Sequence, residues 1–219
     1  MRLSLCSLML GLLSCWVIGQ IPVPVSQEPD HHLKFENSYI RVYDVVVPPG
    51  ASTLFHLHSL DYFFVNFEDA DLKSQAPGQP EQGLILKKGE VRYTPAPLTH
   101  RVRNVGTSVF HNLTVELLSP PAARSTPAPP LGKHQTLVLE NARIRVVQTL
   151  LQPGESTGVH LHPQHTFIVV VGNGTIEGLI PGGSKPDDSG RDGWHDNPLT
   201  HDLKNTGRVA VRVIEVEMK

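Results

Sequence analysis

Residues 50–58 read Gly50-Ala51-Ser52-Thr53-Leu54-Phe55-His56-Leu57-His58, and residues 154–162 read Gly154-Glu155-Ser156-Thr157-Gly158-Val159-His160-Leu161-His162. The likeness extends outward from both. Between Glu36–His58 and Glu140–His162, an offset of 104 residues, twelve of twenty-three positions are identical, among them Asn37/Asn141, Ile40/Ile144, Arg41/Arg145 and Val42/Val146. A second block follows each copy at an offset of 101: Pro97-Leu98-Thr99-His100 with Asn104, then Pro198-Leu199-Thr200-His201 with Asn205. A fixed-period repeat dictates architecture before any local reading. Here it predicts two homologous units, each with a His-x-His and a distant third histidine.

In a β-strand, side chains alternate between faces, so His56 and His58 share a side, as do His160 and His162. Two imidazoles on one face and a third from a later strand form a tridentate nitrogen cap. Such a cap suits a divalent transition metal (Fe, Mn, Zn, Ni or Cu) and leaves coordination positions open. The expected ligands are His56, His58 and His100 in one half, and His160, His162 and His201 in the other.

Together with Gly89, Pro95, His100 and Asn104, these blocks resemble the two motifs of the cupin superfamily, and the resemblance covers nearly all of the chain after residue 30. It implies an all-β protein of two tandem antiparallel jelly-roll barrels, with the metal held inside each by the three histidines. Cupins usually add a metal-binding Glu a few residues after the His-x-His. Tyr62 or Phe63 and Thr166 or Phe167 stand there, while Asp61 and His165 lie one residue earlier and would serve only at a bulge. Both sites are therefore expected to be three-His sites, which some cupin dioxygenases use. Pro97 and Pro198 replace a usual Gly, and Asp196 stands where the first half has Pro95.

The chain has 219 residues, enough for two small domains, and its 19 Pro and 18 Gly suit short strands separated by turns. A formal net charge of −2 gives no basic excess for nucleic acid or an anionic membrane. Residues 1–19, with Arg2 ahead of an apolar run, are expected to be a signal peptide cleaved before Gln20, for a secreted or periplasmic protein without a membrane span. Leu12-Leu13-Ser14-Cys15 also faintly resembles a lipoprotein box. Cys6 and Cys15 both lie in this segment, so the mature chain would hold no thiol ligand, disulfide or cysteine nucleophile. Residues 20–32 are expected to be an extended leader ending in a solvated His31-His32 pair, and residues 33–118 the first barrel. A Pro-rich linker follows at 119–132, and the second barrel at 133–219. Asn173-Gly174 predicts a hairpin turn.

Trp194, His195 and His165, with Tyr62 and Thr166, are candidates for pocket lining, although Trp194 and His195 fit a surface loop equally well. Tyr62, Phe63 and Phe64 otherwise read as core, and Arg41 and Arg145 as outward-facing. Asn112-Leu113-Thr114 and Asn173-Gly174-Thr175 match a glycosylation pattern that is common by chance. No residue stands out as catalytic. The expectation is dioxygen-dependent metal chemistry on a small organic molecule, by a homo-oligomer. The alternative is a non-catalytic protein for metal-dependent binding, sensing or storage. The second barrel is expected to do the work, because small Thr166 leaves space where the first has Tyr62, and the loop 181–197 would rim its pocket.

Overall fold

The computed structural model describes residues 20–119, 128–178, 192–196 and 198–219. The expected signal peptide, most of the linker's prolines and the loop 179–191 lie outside the described residues. No helix among the described residues is long and apolar enough to cross a membrane.

The first half contains strands β1 (Val23–Pro24), β2 (His31–Glu36), β3 (Ile40–Val47), β4 (His56–His58), β5 (Tyr62–Asn66), β6 (Ala70–Gln75), β7 (Gln82–Leu86), β8 (Val91–Thr94), β9 (Leu98–Asn104) and β10 (Phe110–Leu117). The second contains β11 (Gln135–Glu140), β12 (Ile144–Leu151), β13 (His160–His162), β14 (Thr166–Val171), β15 (Ile176–Glu177), β16 (Asp192–His195), β17 (Leu199–His201), β18 (Lys204–Asn205) and β19 (Val211–Met218). In the first half, sheet β1-β4-β9-β6-β7 faces sheet β2-β3-β10-β5-β8. The matching strands of the second half form sheet β11-β12-β19-β14-β16 and the pairs β13-β17 and β15-β18. The all-β class and the duplicated barrel expected from the repeat are both present.

Alternation on β3 explains why its sheet is buried on both sides. Tyr43, Val45 and Val47 pack inward with Leu72, Leu86 and Val102, while Ile40 and Val42 pack outward against Val146, Ile214 and Val216 of the other barrel. The outward face is thus an apolar seam between the barrels. The same repeat positions meet across it twice. Tyr39 stacks on Trp194 at 5.3 Å and lies 4.2 Å from the His165 ring, while its counterpart Arg143 pairs with Asp61 at 2.9 Å. Asp61 is the counterpart of His165, and it also accepts a 2.6 Å hydrogen bond from Tyr93, the counterpart of Trp194. The two barrels therefore pack through equivalent surfaces.

The repeated Gly and Asn close each barrel at one turn. Gly50 and Gly154 have φ of 78° and 85°, a left-handed turn that glycine adopts without Cβ strain. Their N–H groups donate to Asn104 O and Asn205 O, both at 2.9 Å. Asn104 Nδ2 donates to the carbonyls of Val47 and Ser108, and Asn205 Nδ2 to those of Leu151 and Val209.

Two expectations need correction. The leader at 20–32 belongs to the first barrel: Val23 and Pro24 pair in parallel with His56 and Leu57, and Glu28 and the His31 side chain are buried. Asn173-Gly174 turns the chain, but not as a hairpin. β14 bonds to β16 and β19, and β15 bonds to β18, so the turn carries the chain from one sheet to another.

Candidate metal centres

In the second barrel β13 and β17 pair antiparallel with His160 opposite His201, so all three expected histidines reach one point inside the barrel. A fourth donor arrives from an unexpected place. Glu215 on β19 is fully buried, and its Oε1 lies 3.4 Å from His160 Nε2, 3.2 Å from His162 Nε2 and 3.1 Å from His201 Nε2. Donors bound at about 2.1 Å to one ion, roughly at right angles, stand about 3 Å apart. The four groups are thus spaced as a coordination shell, and a metal-capable cluster of His160, His162, His201 and Glu215 results. The expected three-His site gains a carboxylate, although not from the segment after the His-x-His.

Three of the four donors, His160, His162 and Glu215, are held from behind. His160 Nδ1 donates to Gly158 O at 3.0 Å, and a carbonyl can only accept, so the Nε2 lone pair faces the centre. His162 Nδ1 faces Glu217 Oε1 at 2.9 Å, and Glu217 is in turn paired with Arg145 at 3.2 Å. Arg145 is therefore a buried support of the site and not the outward-facing residue expected. Glu215 Oε2 accepts hydrogen bonds from Thr149 Oγ1 at 2.9 Å and Gln135 Nε2 at 3.0 Å, which leaves Oε1 for the histidines.

The electrostatics match this geometry. Burial pushes the Glu215 carboxyl up, but the three imidazole groups that face it outweigh burial and hold the carboxyl well below the ordinary carboxylate range. Burial likewise disfavours charge on His162, yet Glu215 and Glu217 raise it to about 9. The cluster is arranged to surround positive charge at its centre.

The first barrel assembles differently. β4 and β9 bring His56 opposite His100, with ring centroids 4.6 Å apart and 5.4 Å from His58 to His100. Thr114 stands where the other barrel has Glu215, so no carboxylate enters. Instead His31 from β2 turns inward, and the donor atoms of His31, His56 and His58 lie within 4.8 Å of one another. The expectation that His31 is solvated is corrected: its side chain is 6% exposed, because β2 is drawn into the barrel wall and Glu28 Oε2 holds its Nδ1 at 2.6 Å. His56 Nδ1 donates to Leu54 O at 2.9 Å, repeating the His160 arrangement, and its Nε2 is buried with no hydrogen-bond partner. Burial, joined by repulsion from neighbouring histidines, lowers His56 to about 4, His58 to about 2 and His100 to about 3. These imidazoles are neutral. Beside them is a cavity of about 50 Å³ lined by Leu72, Leu84, Leu86, Val102 and Phe110.

The pocket-lining candidates divide. Tyr62 lies beside the first site, stacked on His58 at 4.1 Å. Thr166 lies directly opposite His195, and His195 is close enough to His201 and His162 that burial first, then their proximity, lowers it to about 4. Because His195 occupies the volume across from Thr166, the space expected there is partly filled. Trp194, on the opposite face of β16 from His195, and His165, which stacks on it and lies against Tyr39, point into the seam and so do not line the pocket. Asp61 also faces the seam.

Glu215 and His31 were both missed. Alternation along Val211–Met218 offered a clue, since it places Glu215 and Glu217 in phase with Val211 and Val213 on a face that must be buried. His31 gave no comparable signal, because it precedes the repeated block and is matched by Gln135.

The fold is that of cupins. The structure is similar to that of AerE from Microcystis aeruginosa, with a TM-score of 0.63 at 12% identity over 91% of this chain and 98% of that one. It also resembles a variant of oxalate decarboxylase from Bacillus subtilis, with a TM-score of 0.55 at 11% identity over 91% of this chain and 77% of that one. A further structure of that Bacillus subtilis decarboxylase, studied for its Mn(II) centres, aligns with a TM-score of 0.53 at 10% identity over the same shares. No protein-family model matches the sequence, and no curated protein matches it.

Proposed function

We propose that the protein is a metal-dependent enzyme whose second barrel holds one divalent transition metal through His160, His162, His201 and Glu215, and that it oxidises a small organic molecule with dioxygen. The observation that carries this reading is the convergence of three imidazole Nε2 atoms on Glu215 Oε1 at 3.1–3.4 Å. A bound ion would supply Lewis acidity and open positions for substrate and dioxygen. The chain supplies the rest. Gln135, Thr149, Glu217 and Gly158 O fix the donors, and the buried neutral His195 offers an unpartnered Nδ1 beside them as a proton acceptor. Mn(II) in the similar decarboxylase makes Mn and Fe the first ions to try.

Purified protein loaded with Fe(II) or Mn(II) should consume dioxygen with a member of a panel of small organic molecules, and His195→Gln should slow turnover roughly 100-fold without loss of metal. Metal-loaded protein that binds a member of the panel without consuming dioxygen would favour the non-catalytic reading. One observation supports that alternative: the cavity of the first barrel is lined without a carboxylate, so it is suited to binding more than to proton transfer. Export through cleavage before Gln20 is proposed from the sequence alone, and N-terminal sequencing of secreted material tests it.

A further inference from the structure

We propose that the first barrel is a second metal site of a different chemical kind, closed by the four imidazoles of His31, His56, His58 and His100 and taking a borderline ion such as copper, zinc or nickel. The proposal stands on first-barrel residues alone, so its failure would leave the reading of the second barrel intact.

Three observations support it. The first is geometric. Donor atoms of His31, His56 and His58 lie within 4.8 Å of one another, and His100 is the direct cross-strand neighbour of His56. The second is an unmet bonding need. His56 Nε2 and His58 Nδ1 are buried with no hydrogen-bond partner, in residues only 1% exposed. An orphaned buried acceptor is destabilising, and an ion bound at His56 Nε2 removes one such deficit. The third is the bracing of two of the rings. Glu28 is fixed by the N–H groups of Asp30 at 2.9 Å and Leu54 at 3.1 Å, and it fixes His31; the same Leu54 orients His56 through its carbonyl. Rings held by a buried carboxylate or carbonyl are typical of metal ligands, whose outer partners set tautomer and direction.

The two barrels also exchange residues in a compensating way. At matched positions the first has His31, Val45 and Thr114 where the second has Gln135, Thr149 and Glu215. In the second barrel, Gln135 and Thr149 both hold the Glu215 carboxylate. In the first, the carboxylate and its supports are gone together, and the position of Gln135 supplies an imidazole. One donor set is replaced by another, from a different strand of the same sheet. An all-imidazole, uncharged shell favours copper, nickel or zinc over the harder ions that a carboxylate helps to hold.

Copper(II) titration of the metal-free full chain, followed by elemental analysis and electron paramagnetic resonance, is the test. Wild type should take up two ions. His31→Gln, which installs the second barrel's residue, should weaken one of the two by at least about 10-fold and leave the other unchanged; Glu28→Gln should do the same. Variants with wild-type circular dichroism that keep both affinities would overturn the proposal. Should the variants fail to fold, a copper-edge anomalous map of wild-type crystals decides it. Density bonded to His31 Nε2 is expected, and a first barrel without density would refute the assignment.

Discussion

The two barrels share a backbone plan and three histidines, yet they differ in the fourth donor and in the charge at the centre. In the second, Glu215 and Glu217 surround the histidines with negative charge and His162 is raised to about 9. In the first, His31 is added, no carboxylate enters, and three imidazoles are held neutral at about 4, 2 and 3. The lesson is that a repeated motif fixes where donors can stand, while single residues on neighbouring strands decide what kind of site results. Thr114 against Glu215 and His31 against Gln135 are enough to separate the two.

The largest expected effect comes from removing the central imidazole of each barrel. His162→Ala should abolish dioxygen-dependent turnover and remove the second-barrel ion, because it also strips Glu215 of a partner. His58→Ala should remove only the first-barrel ion and leave turnover within about 3-fold, a margin of roughly 0.6 kcal/mol. Turnover assays with metal analysis check both, and loss of turnover with His58→Ala alone would reverse the roles.

A smaller effect is expected when the differing residues are exchanged. Glu215→Thr combined with Gln135→His gives the second barrel the first barrel's donors, and Mn(II) affinity should fall about 10- to 100-fold while Cu(II) binding persists. Competitive metal titration measures this. Unchanged Mn(II) affinity would show that the fourth donor does not set selectivity.

The most modest effect concerns the metal-free protein. His56, His58 and His100 are depressed in the folded state, whereas unfolded histidine titrates near about 6.5. The unfolded chain therefore binds more protons as pH falls from about 6.5 to about 2, and the first barrel loses stability across that window. His162 is raised, so its contribution is complete below about 6.5 and disappears as pH rises through about 9. Thermal melts of metal-free protein should thus weaken at both ends. Glu217→Gln should diminish the alkaline loss alone, and a symmetrical response in that variant would contradict the charge difference.

Much of this was legible in the sequence. The 104-residue repeat gave two β units, the alternation in His-x-His placed both imidazoles inward, and Gly50 and Gly154 marked the turns. The fourth donors were not legible, for different reasons. Glu215 lies 53 residues beyond His162, and only the packing of two separate sheets brings them to 3.2 Å. His31 had the look of a terminal polar pair until Val23 and Pro24 bound the preceding segment to β4. Trp194 and His195 fit pocket lining and a surface loop equally well in the sequence, but strand alternation sends them to opposite faces, the first into the seam and the second toward the site. The seam itself was invisible, because a sheet buried on both faces and one half-exposed differ only by which outward residues find a partner.

The central claim is that Glu215 and three histidines of the second barrel share one ion. Mn(II) titration of wild type and Glu215→Gln, followed by the resonance of free Mn(II), tests it most directly. Wild type should bind one tight Mn(II) per chain, and the variant should bind it at least about 10-fold more weakly with circular dichroism unchanged. Equal uptake by a folded Glu215→Gln protein, or none by wild type, would contradict it.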